Sequence, residues 1–337
     1  MTQVLPRPQS VSHTTELPPP PKKGFPSPFL PNSQVQFAWD STSLGLLKAC
    51  PRKYYLTMIE GWRKRDESMH LTFGIAYHKG LERYDIFRSL GEDHHEALIK
   101  VVQLCLEESG HYTLDDSGVE VWQAWETGNT KKNRETLVRS IIWYLEEYKN
   151  DAARTLILAN GKPAVELSFR FDTEIPCGPD SNYVLSGHMD RLVEFGGTHY
   201  VMDRKTTGST LSGYYFDGYS PDNQMTLYTL ASRIVYDMPV AGVIIDAAQI
   251  AVGFTSFSRG ITMRTELQLD EWLEGFNDWM TTAAFYAEAQ RWPMNEMSCN
   301  NYGACTYRGI CNKDPRVRQS FLANDFHKVP WNPLEER

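Results

Sequence analysis

The order of apolar and polar positions along the chain predicts a helical first half followed by strands that alternate with helices. Apolar residues recur at helical spacing in residues 71–90 and continue to do so until about residue 160, with Ala97 and Val101 one turn apart. From residue 165 the period changes to two, because Leu167 and Phe169 alternate with polar neighbours, as on a half-exposed strand.

The second half of the chain carries the remaining predicted strands and helices. The turn Gly196-Gly197 joins two strands into a hairpin. A nearly continuous apolar run then indicates a central strand that is covered on both faces. We therefore predict an α/β fold, with a central mixed β-sheet flanked by helices and a helical insertion at about 90–160. The later predicted elements are strands at 183–195, 198–205 and 241–250 and helices at 222–236 and 269–291.

Composition and charge restrict the class of protein. The 337 residues are 41% hydrophobic and 12% aromatic, enough for a substantial globular core. We see no apolar run of membrane-spanning length and no charged-then-apolar leader, so we expect a cytoplasmic protein without a membrane partner. A net charge of -8 argues against a general nucleic-acid coat. In residues 48–65, however, six cations oppose one acid among aromatic residues, which suits phosphates and stacked bases.

The two ends of the chain are predicted to lie outside the main domain. Residues 1–33 are rich in proline, serine and threonine and cannot bury much apolar surface, which indicates a disordered arm. Such an arm can dock a protein partner, and a plain tail without a binding role is the simpler interpretation. Residues 34–313 would form the main domain, and residues 314–337 a C-terminal tail.

The predicted hairpin carries the chain's candidate chemistry. Asp190 lies on its first strand, and Asp203-Arg204-Lys205 lies on the second. Residues two apart on a strand share a face, so Asp203 and Lys205 point the same way. Two carboxylates offer oxygen ligands to a hard divalent cation, while a lysine stabilises charge on a phosphate or positions an attacking water. A surface ion pair at a strand end is the alternative for the Asp-x-Lys spacing alone.

Three segments of the sequence resemble one nuclease family. Asp190 followed by Asp203-x-Lys205 resembles the PD-(D/E)XK nuclease superfamily, with Asp203 where many members have Glu. Gln224-x-x-x-Tyr228 resembles a helix motif of the RecB-type branch. The segment at 74–82 resembles that branch's Gly-x-x-x-His motif.

The resemblance implies a fold, an activity and a set of site residues. The expected core is restriction-endonuclease-like, and the expected activity is Mg²⁺- or Mn²⁺-dependent hydrolysis of DNA, in the manner of an exonuclease, in recombination, repair or end processing. The resemblance assigns the metal to Asp190, Asp203 and the imidazole of His78, with the backbone carbonyl of Arg204. Lys205 would act on the water or on the phosphate, and the expected role of Gln224 and Tyr228 is to orient Lys205 or the DNA strand.

Four cysteines form a second candidate site. Cys299, Cys305 and Cys311 follow the last long predicted helix at equal spacing, and Cys50 lies far upstream. In a cytoplasmic enzyme, metal ligation fits such a set better than disulfides. The set resembles the [4Fe-4S] staple of the CRISPR-adaptation exonucleases and AddB-type nucleases, although its Cys-x5-Cys-x5-Cys spacing departs from their Cys-x2-Cys-x5-Cys. Zn²⁺ is the alternative occupant, although zinc sites usually contain short Cys-x-x-Cys knuckles and this sequence has none. A Cys-stapled subdomain is therefore expected beside the main domain.

Two other classes of function stay open on the sequence. One is a non-catalytic DNA-binding or structural subunit that keeps the nuclease fold, against which the intact Asp190, Asp203 and Lys205 argue. The other is a structural zinc protein whose acidic residues are incidental. An absorbance band at about 400 nm in anaerobically purified protein would exclude the zinc protein.

Overall fold

The computed structural model of the chain describes residues 27–65, 69–115, 117–301 and 303–335. Residues 1–26, which make up most of the predicted proline-rich arm, lie outside the described residues. Residues 27–33 of that arm belong to the folded body, because Phe29 forms a bridge with Gln36 and packs on the main core. The predicted boundary at residue 33 is therefore too late in the chain, because Phe29 already belongs to the folded body.

The structure contains ten α-helices and eleven strands within the described residues. A π-helical turn at Tyr55–Ile59 and a 3-10 turn at Glu296–Asn300 complete the helical segments. The α-helices are α1 (Ser41–Ala49), α2 (Pro51–Tyr54), α3 (Met69–Ser89), α4 (His94–Glu108), α5 (Arg134–Glu147), α6 (Gly213–Asp217), α7 (Asn223–Val235), α8 (Glu266–Glu288), α9 (Arg308–Cys311) and α10 (Arg318–Asp325). The strands are β1 (Ala38–Trp39), β2 (Trp62–Lys64), β3 (Gly110–Leu114), β4 (Glu120–Ala124), β5 (Arg154–Thr155), β6 (Val165–Gly178), β7 (Ser181–Phe195), β8 (Thr198–Thr207), β9 (Val240–Ile250), β10 (Thr255–Met263) and β11 (Phe326–Lys328).

A seven-stranded mixed sheet forms the centre of the fold, as the sequence predicted. Its main path runs β1-β7-β8-β9-β10, and β5 and β6 also pair with β7. Strands β7 and β8 are antiparallel and form the predicted hairpin, whereas β8 and β9 are parallel. The crossover between β8 and β9 carries α7, which packs on the sheet.

Helices cover both faces of this sheet. Successive residues of β9 alternate between the two sides, as expected for a buried central strand. Val243 and Ile245 join the main core with α1, α7 and α8, whereas Ala248 and Ile250 join a second core with α3, α4 and α5. The same alternation on β8 decides which of its polar residues faces which helix layer.

One part of the predicted helical insertion is wrong. Residues 110–124 form an antiparallel hairpin of β3 and β4 between α4 and α5, where the sequence analysis continued the helices to about residue 160. The connecting turn explains the change, because the side chain of Asp115 accepts hydrogen bonds from the amides of Ser117 and Val119, and Gly118 adopts a positive φ of 78°. This turn lies between segments rich in aromatic and β-branched residues, which favours strands over helix.

The C-terminal residues form part of the folded body rather than a loose tail. Strand β11 pairs with β2, and the indole of Trp331 donates to the carboxylate of Asp40 at 3.0 Å. Further along, the carbonyl of Pro333 accepts a hydrogen bond from Ser186 at 2.8 Å. The predicted tail at 314–337 is thus corrected over its described part. Within the described residues, no helix combines the length and apolarity needed to cross a lipid bilayer.

Candidate active site

Strand β8 places an acid and a lysine side by side. Asp203 and Lys205 lie two residues apart on this strand and share its face. Nζ of Lys205 lies 2.7 Å from Oδ2 of Asp203, which is 3% exposed. The intervening Arg204 points to the other face, where its guanidinium is buried. The sequence pattern therefore predicted the facing of this pair.

Asp190 lies where the β7–β8 ladder ends. The last paired residues are Arg191 and Met202, and beyond them the carboxylate of Asp190 takes the place of a strand partner. Its Oδ2 accepts a hydrogen bond from the backbone amide of Arg204 at 2.6 Å. This bond holds the Asp190 carboxylate against β8, next to Asp203. The role of the Arg204 carbonyl as a metal ligand stays a prediction.

Helix α3 brings an imidazole to the two acids. Nδ1 of His78 lies 3.3 Å from Oδ1 of Asp190, although the two residues are more than a hundred positions apart in the chain. One turn earlier on the helix, Gly74 faces Thr206 of β8, where a Cβ would lie 3.8 Å from Oγ1 of Thr206, an ordinary contact distance. The side chains of His78 and Lys205 keep 30% and 26% exposure, so the cluster is open to solvent.

Helix α7 contributes an amide and a phenol. Oε1 of Gln224 accepts a hydrogen bond from Nζ of Lys205 at 2.9 Å, and Nε2 of Gln224 donates to the Tyr228 hydroxyl at 2.9 Å. Residues four apart share a helical face, which is why both side chains reach the same place. The side chain of Asp222 caps this helix by accepting from the amide of Met225. The structure thus brings together all six predicted side chains of the site.

Burial and neighbouring charges shift the pKa values of the β8 pair. Burial raises the pKa of Asp203, and the carboxylate of Asp190 raises it further, while Lys205 opposes both, so the pKa reaches about 6. Burial alone would lower the pKa of Lys205, but the carboxylate of Asp203 reverses this and raises it. Lys205 therefore stays an ammonium at neutral pH and is a source of positive charge rather than a base.

The other pair shifts in opposite directions. Burial alone would raise the pKa of Asp190, but the His78 imidazolium and the amide of Arg204 hold it well below its usual range. Burial alone would lower the pKa of His78, and the carboxylate of Asp190 outweighs burial and raises it. Each of the two groups therefore favours the charged form of the other.

The donor chemistry of this cluster suits a hard divalent cation, while its arrangement does not yet enclose one. Two carboxylates and an imidazole are ligands that Mg²⁺ and Mn²⁺ accept. Over the residues that the structure describes, no group of three or more His, Cys, Asp or Glu side chains is arranged to hold a metal ion. Neighbouring ligands of an octahedral Mg²⁺ lie about 3 Å apart, so the 3.3 Å between Nδ1 of His78 and Oδ1 of Asp190 would suit a shared ion once the imidazole has lost its proton.

The segments that carry Cys50 and the C-terminal cysteines lie next to each other, although over the described part of the chain the thiols do not form a group that could hold a metal ion. The amide of Asn295, just before the 3-10 turn with Cys299, lies 3.3 Å from Sγ of Cys50. Burial raises the pKa of Cys311. The charge of Arg52 lowers this pKa, and Cys305 and Cys50 raise it.

The hydroxyl of Ser298 donates to the carbonyl of Ala49, the residue before Cys50, and the amide of Cys305 donates to the carbonyl of Cys299 at 2.9 Å. All six cysteines of the chain are free. The hydroxyl of Tyr307 joins this region to the first helices, because it accepts from Thr57 at 3.0 Å and donates to the carbonyl of Trp62 at 2.5 Å. Metal binding by the cysteines stays a prediction.

One charged residue behind the candidate site was missed in the sequence. Asp85 lies two helical turns after His78 and forms buried ion pairs behind the site. Asp85 lies on the same helix stripe as Tyr77, Leu81 and Tyr84. Because such an apolar stripe normally faces the core, an acid on it indicates a buried charge that needs a partner.

The fold and the site define an α/β protein with two carboxylates and a lysine on adjoining strands of a mixed sheet. Residues 39–312 match the family model of the PD-(D/E)XK nuclease superfamily. The chain belongs to this superfamily. Among solved structures, it is similar to a candidate exonuclease from Eubacterium rectale, with 10% identity, a TM-score of 0.41 and coverage of 80% of this chain and 90% of that chain. No curated protein matches the chain.

Proposed function

We propose that the protein is a Mg²⁺- or Mn²⁺-dependent nuclease of the RecB-type branch that degrades DNA from free ends. The observation that carries the proposal is the contact between His78 and Asp190 beside the ion pair of Asp203 and Lys205. If the pair were an incidental ion pair at an exposed strand end, nothing would require His78 of α3 and Gln224 of α7 to lie beside it. Recombination, repair and end processing of DNA are the processes that such an activity would serve.

The side chains would divide the work of phosphodiester hydrolysis. Asp190 and Asp203, together with His78 and the carbonyl of Arg204, would hold the cation. When bound, the ion supplies positive charge to the scissile phosphate and makes water more acidic. The ammonium of Lys205 would donate hydrogen bonds to the attacking water or to the phosphate oxygens, where negative charge grows in the transition state.

The basic surface beside the cysteines supports DNA as the substrate. Residues 48–65 and 299–328 together hold eleven lysines and arginines against three acids, although the whole chain has a net charge of -8. Two of these acids pair with Lys328 and Arg316, so the surplus of positive charge remains in both segments. Lys48 joins this surface to the candidate site, because its Nζ lies 3.4 Å from Oδ1 of Asn223, the residue before Gln224. Phosphates could follow this surface toward Lys205.

We further propose that the four cysteines hold a [4Fe-4S] cluster, with Zn²⁺ as the alternative occupant. The contacts of the segment 295–299 with Ala49 and Cys50, and the hydrogen bond between the backbones of Cys305 and Cys299, support a common ligand set. Such a set would fasten α2 to α9, the segments that bear much of the basic surface. A cytoplasmic location, where thiols stay reduced, belongs to the same proposal.

The decisive experiment is a cleavage assay on end-labelled linear DNA, single- and double-stranded, with Mg²⁺ or Mn²⁺. We expect the wild type to shorten linear DNA and to leave covalently closed circles intact. Asp203→Asn should reduce the rate at least roughly 100-fold, because the cation loses a charged ligand. The matched control is Asp172→Asn, which changes an exposed carboxylate on β6 and should retain activity.

Two results would overturn the proposal. One is a wild type that hydrolyses no DNA with either metal, which would favour a non-catalytic DNA-binding subunit if it still bound DNA. The other is an Asp203→Asn protein as active as the wild type, which would show that a contaminating nuclease produced the signal. Cleavage of closed circles would still support a nuclease but would show that it does not need a free DNA end.

A further inference from the structure

A buried network of charges lies behind the candidate site. Arg191 follows Asp190 on β7, and Arg204 follows Asp203 on β8, so each candidate metal ligand on the sheet has an arginine as its next residue. The two arginines are only 4% and 2% exposed. Buried arginines need negative partners, because an uncompensated charge in the protein interior strongly destabilises the fold.

One carboxylate serves both arginines. Oδ1 of Asp85 lies 2.9 Å from Nη1 of Arg191, and Oδ2 of Asp85 lies 2.5 Å from Nη2 of Arg204. Asp85 is itself 7% exposed. Its two oxygens therefore join β7 to β8 just beside the point where the backbone ladder between these strands ends at Arg191 and Met202.

Arg204 depends on this carboxylate more than Arg191 does. Arg191 has a second acid, because its Nη2 lies 3.2 Å from Oδ2 of Asp151. Among the described residues, Nε of Arg204 has no hydrogen-bond partner, and the bond from its Nη2 goes to Asp85. Arg204 lies between Asp203 and Lys205 in the chain. Loss of the Asp85 charge would thus leave its guanidinium without the carboxylate to which it is hydrogen-bonded.

The same helix carries His78 and Asp85. They are seven residues apart, about two helical turns, and so lie on one side of α3. His78 contacts Asp190, and Asp85 contacts the next residue of the strand, Arg191. Helix α3 is thereby attached to β7 at two adjacent residues. Each of the three side chains that would hold the cation is connected through a short stretch of backbone to a member of the Asp85 ion pairs.

We propose that Asp85 is a positioning residue that sets the spacing of His78, Asp190 and Asp203 for the cation. The inference rests on the proposed function. A carboxylate that accepts from two strands and is carried by the helix with the imidazole fixes three elements relative to one another, which an apolar residue of similar size would not do. Asp85 touches neither the cation nor DNA in this scheme, and its effect passes through Arg191 and Arg204.

The test compares Asp85→Asn with Asp151→Asn in the full-length protein. Both variants remove one carboxylate from the same network, but Asp151 pairs with Arg191 and Arg259 and leaves both ion pairs of Asp85 intact. Mn²⁺ affinity is measured by calorimetric titration, stability by thermal unfolding, and cleavage as separate kcat and KM values. A merely structural role would lower the stability of both variants and leave the Mn²⁺ affinity of the folded protein unchanged in both.

We expect Asp85→Asn to weaken Mn²⁺ binding by about 10- to 100-fold, the usual effect of removing a residue that orients metal ligands. The kcat should fall with it, while the KM for DNA changes little and Asp151→Asn binds Mn²⁺ like the wild type. If Asp85→Asn does not fold, Arg204→Lys replaces it, because a lysine keeps the charge but loses the forked geometry of the guanidinium.

Unchanged Mn²⁺ affinity in Asp85→Asn, or an equal loss in Asp151→Asn, overturns the inference whatever happens to activity. A wild type that binds Mn²⁺ but does not cleave DNA overturns the proposed function alone, since the affinity comparison can still be made. A wild type that binds no Mn²⁺ overturns both.

Discussion

The ammonium of Lys205 donates to Oε1 of Gln224 at 2.9 Å, across the contact between the second strand of the hairpin and the helix that follows it. The same ammonium forms an ion pair with Asp203, so Gln224 and Asp203 fix it from two directions. The Tyr228 hydroxyl accepts from the amide nitrogen of Gln224 and thereby determines which end of the amide faces Lys205. Through Gln224, Tyr228 on α7 thus controls the orientation of the Lys205 ammonium on β8.

The first prediction concerns this hydrogen-bonded chain. Gln224→Met keeps the size of the side chain but removes the acceptor, so Lys205 should lose part of its alignment. We expect kcat to fall about tenfold with little change in KM, since one hydrogen bond to a charged group is worth about 1.5–3 kcal/mol at most. Steady-state cleavage of labelled DNA measures this effect.

Tyr228→Phe is the matched variant for this prediction. It leaves the amide of Gln224 in place but removes the hydroxyl that orients it, and its effect on kcat should be smaller. A larger loss in Tyr228→Phe than in Gln224→Met would contradict the order of action from Tyr228 through Gln224 to Lys205.

Local rules predicted the part of the site that lies on single elements. The shared face of Asp203 and Lys205 follows from the period of a strand, and that of Gln224 and Tyr228 follows from the period of a helix. The position of His78 required knowledge of tertiary structure. Only the resemblance to known nucleases linked it to the acids, because helical spacing alone does not say which strand a helix crosses.

The hairpin of β3 and β4 and the ion pairs of Asp85 show the limits of the same rules. Helical spacing before and after residues 110–124 predicts one continuous helical region. The turn at Asp115 favours a hairpin there instead, and the structure contains that hairpin. Asp85, Arg191 and Arg204 are more than a hundred residues apart at the extremes, and no local pattern pairs a buried acid with its arginines.

The second prediction concerns the basic surface. Lys313 is exposed beside the cysteines, and Lys313→Gln should raise the KM for DNA while kcat stays the same. Removal of one phosphate contact should also reduce the slope of log affinity against log salt concentration by about 1. Lys162→Gln changes an exposed lysine outside both basic segments and serves as the control. Equal effects of the two substitutions would show that DNA does not follow the surface at 299–328.

The third prediction concerns acid unfolding. Burial alone would raise the pKa of Asp151, but its hydrogen bonds to Arg259 reverse this and hold the pKa below the usual 3.8. The folded carboxylate therefore stays charged at a pH where the unfolded one takes up a proton. Its contribution to stability is fully present above pH 3.8 and is lost as the pH falls through the lower, folded pKa.

Urea unfolding, followed by tryptophan fluorescence at several pH values between about 6 and 3, measures this effect. The free energy of unfolding should fall less steeply toward low pH in Asp151→Asn than in the wild type, although the variant is less stable at neutral pH. Asp172→Asn, which lies on the surface, should follow the wild type. Parallel curves for the wild type and Asp151→Asn would rule out Asp151 as a source of the acid sensitivity.

The last prediction concerns the cysteines and separates iron from zinc. Loss of a shared metal centre should destabilise the fold, because Cys50 and the C-terminal cysteines close a loop of about 250 residues whose entropy the unfolded chain would regain. Cys311→Ser should therefore lower the melting temperature by about 5 °C or more. Cys177→Ser, which changes a free thiol on β6, should leave it unchanged.

The spectrum and the metal content of the same proteins complete the comparison. Anaerobically purified wild type and Cys177→Ser should absorb at about 400 nm and contain iron, and Cys311→Ser should lose both signals. If the wild type contained zinc instead of iron, and Cys311→Ser still lowered the melting temperature, the metal centre would stand with zinc as its occupant. Because the carboxylate site lies on other elements, Mn²⁺ affinity should survive in folded Cys311→Ser. A melting temperature that responds neither to the substitution nor to chelation would mean that these thiols share no metal.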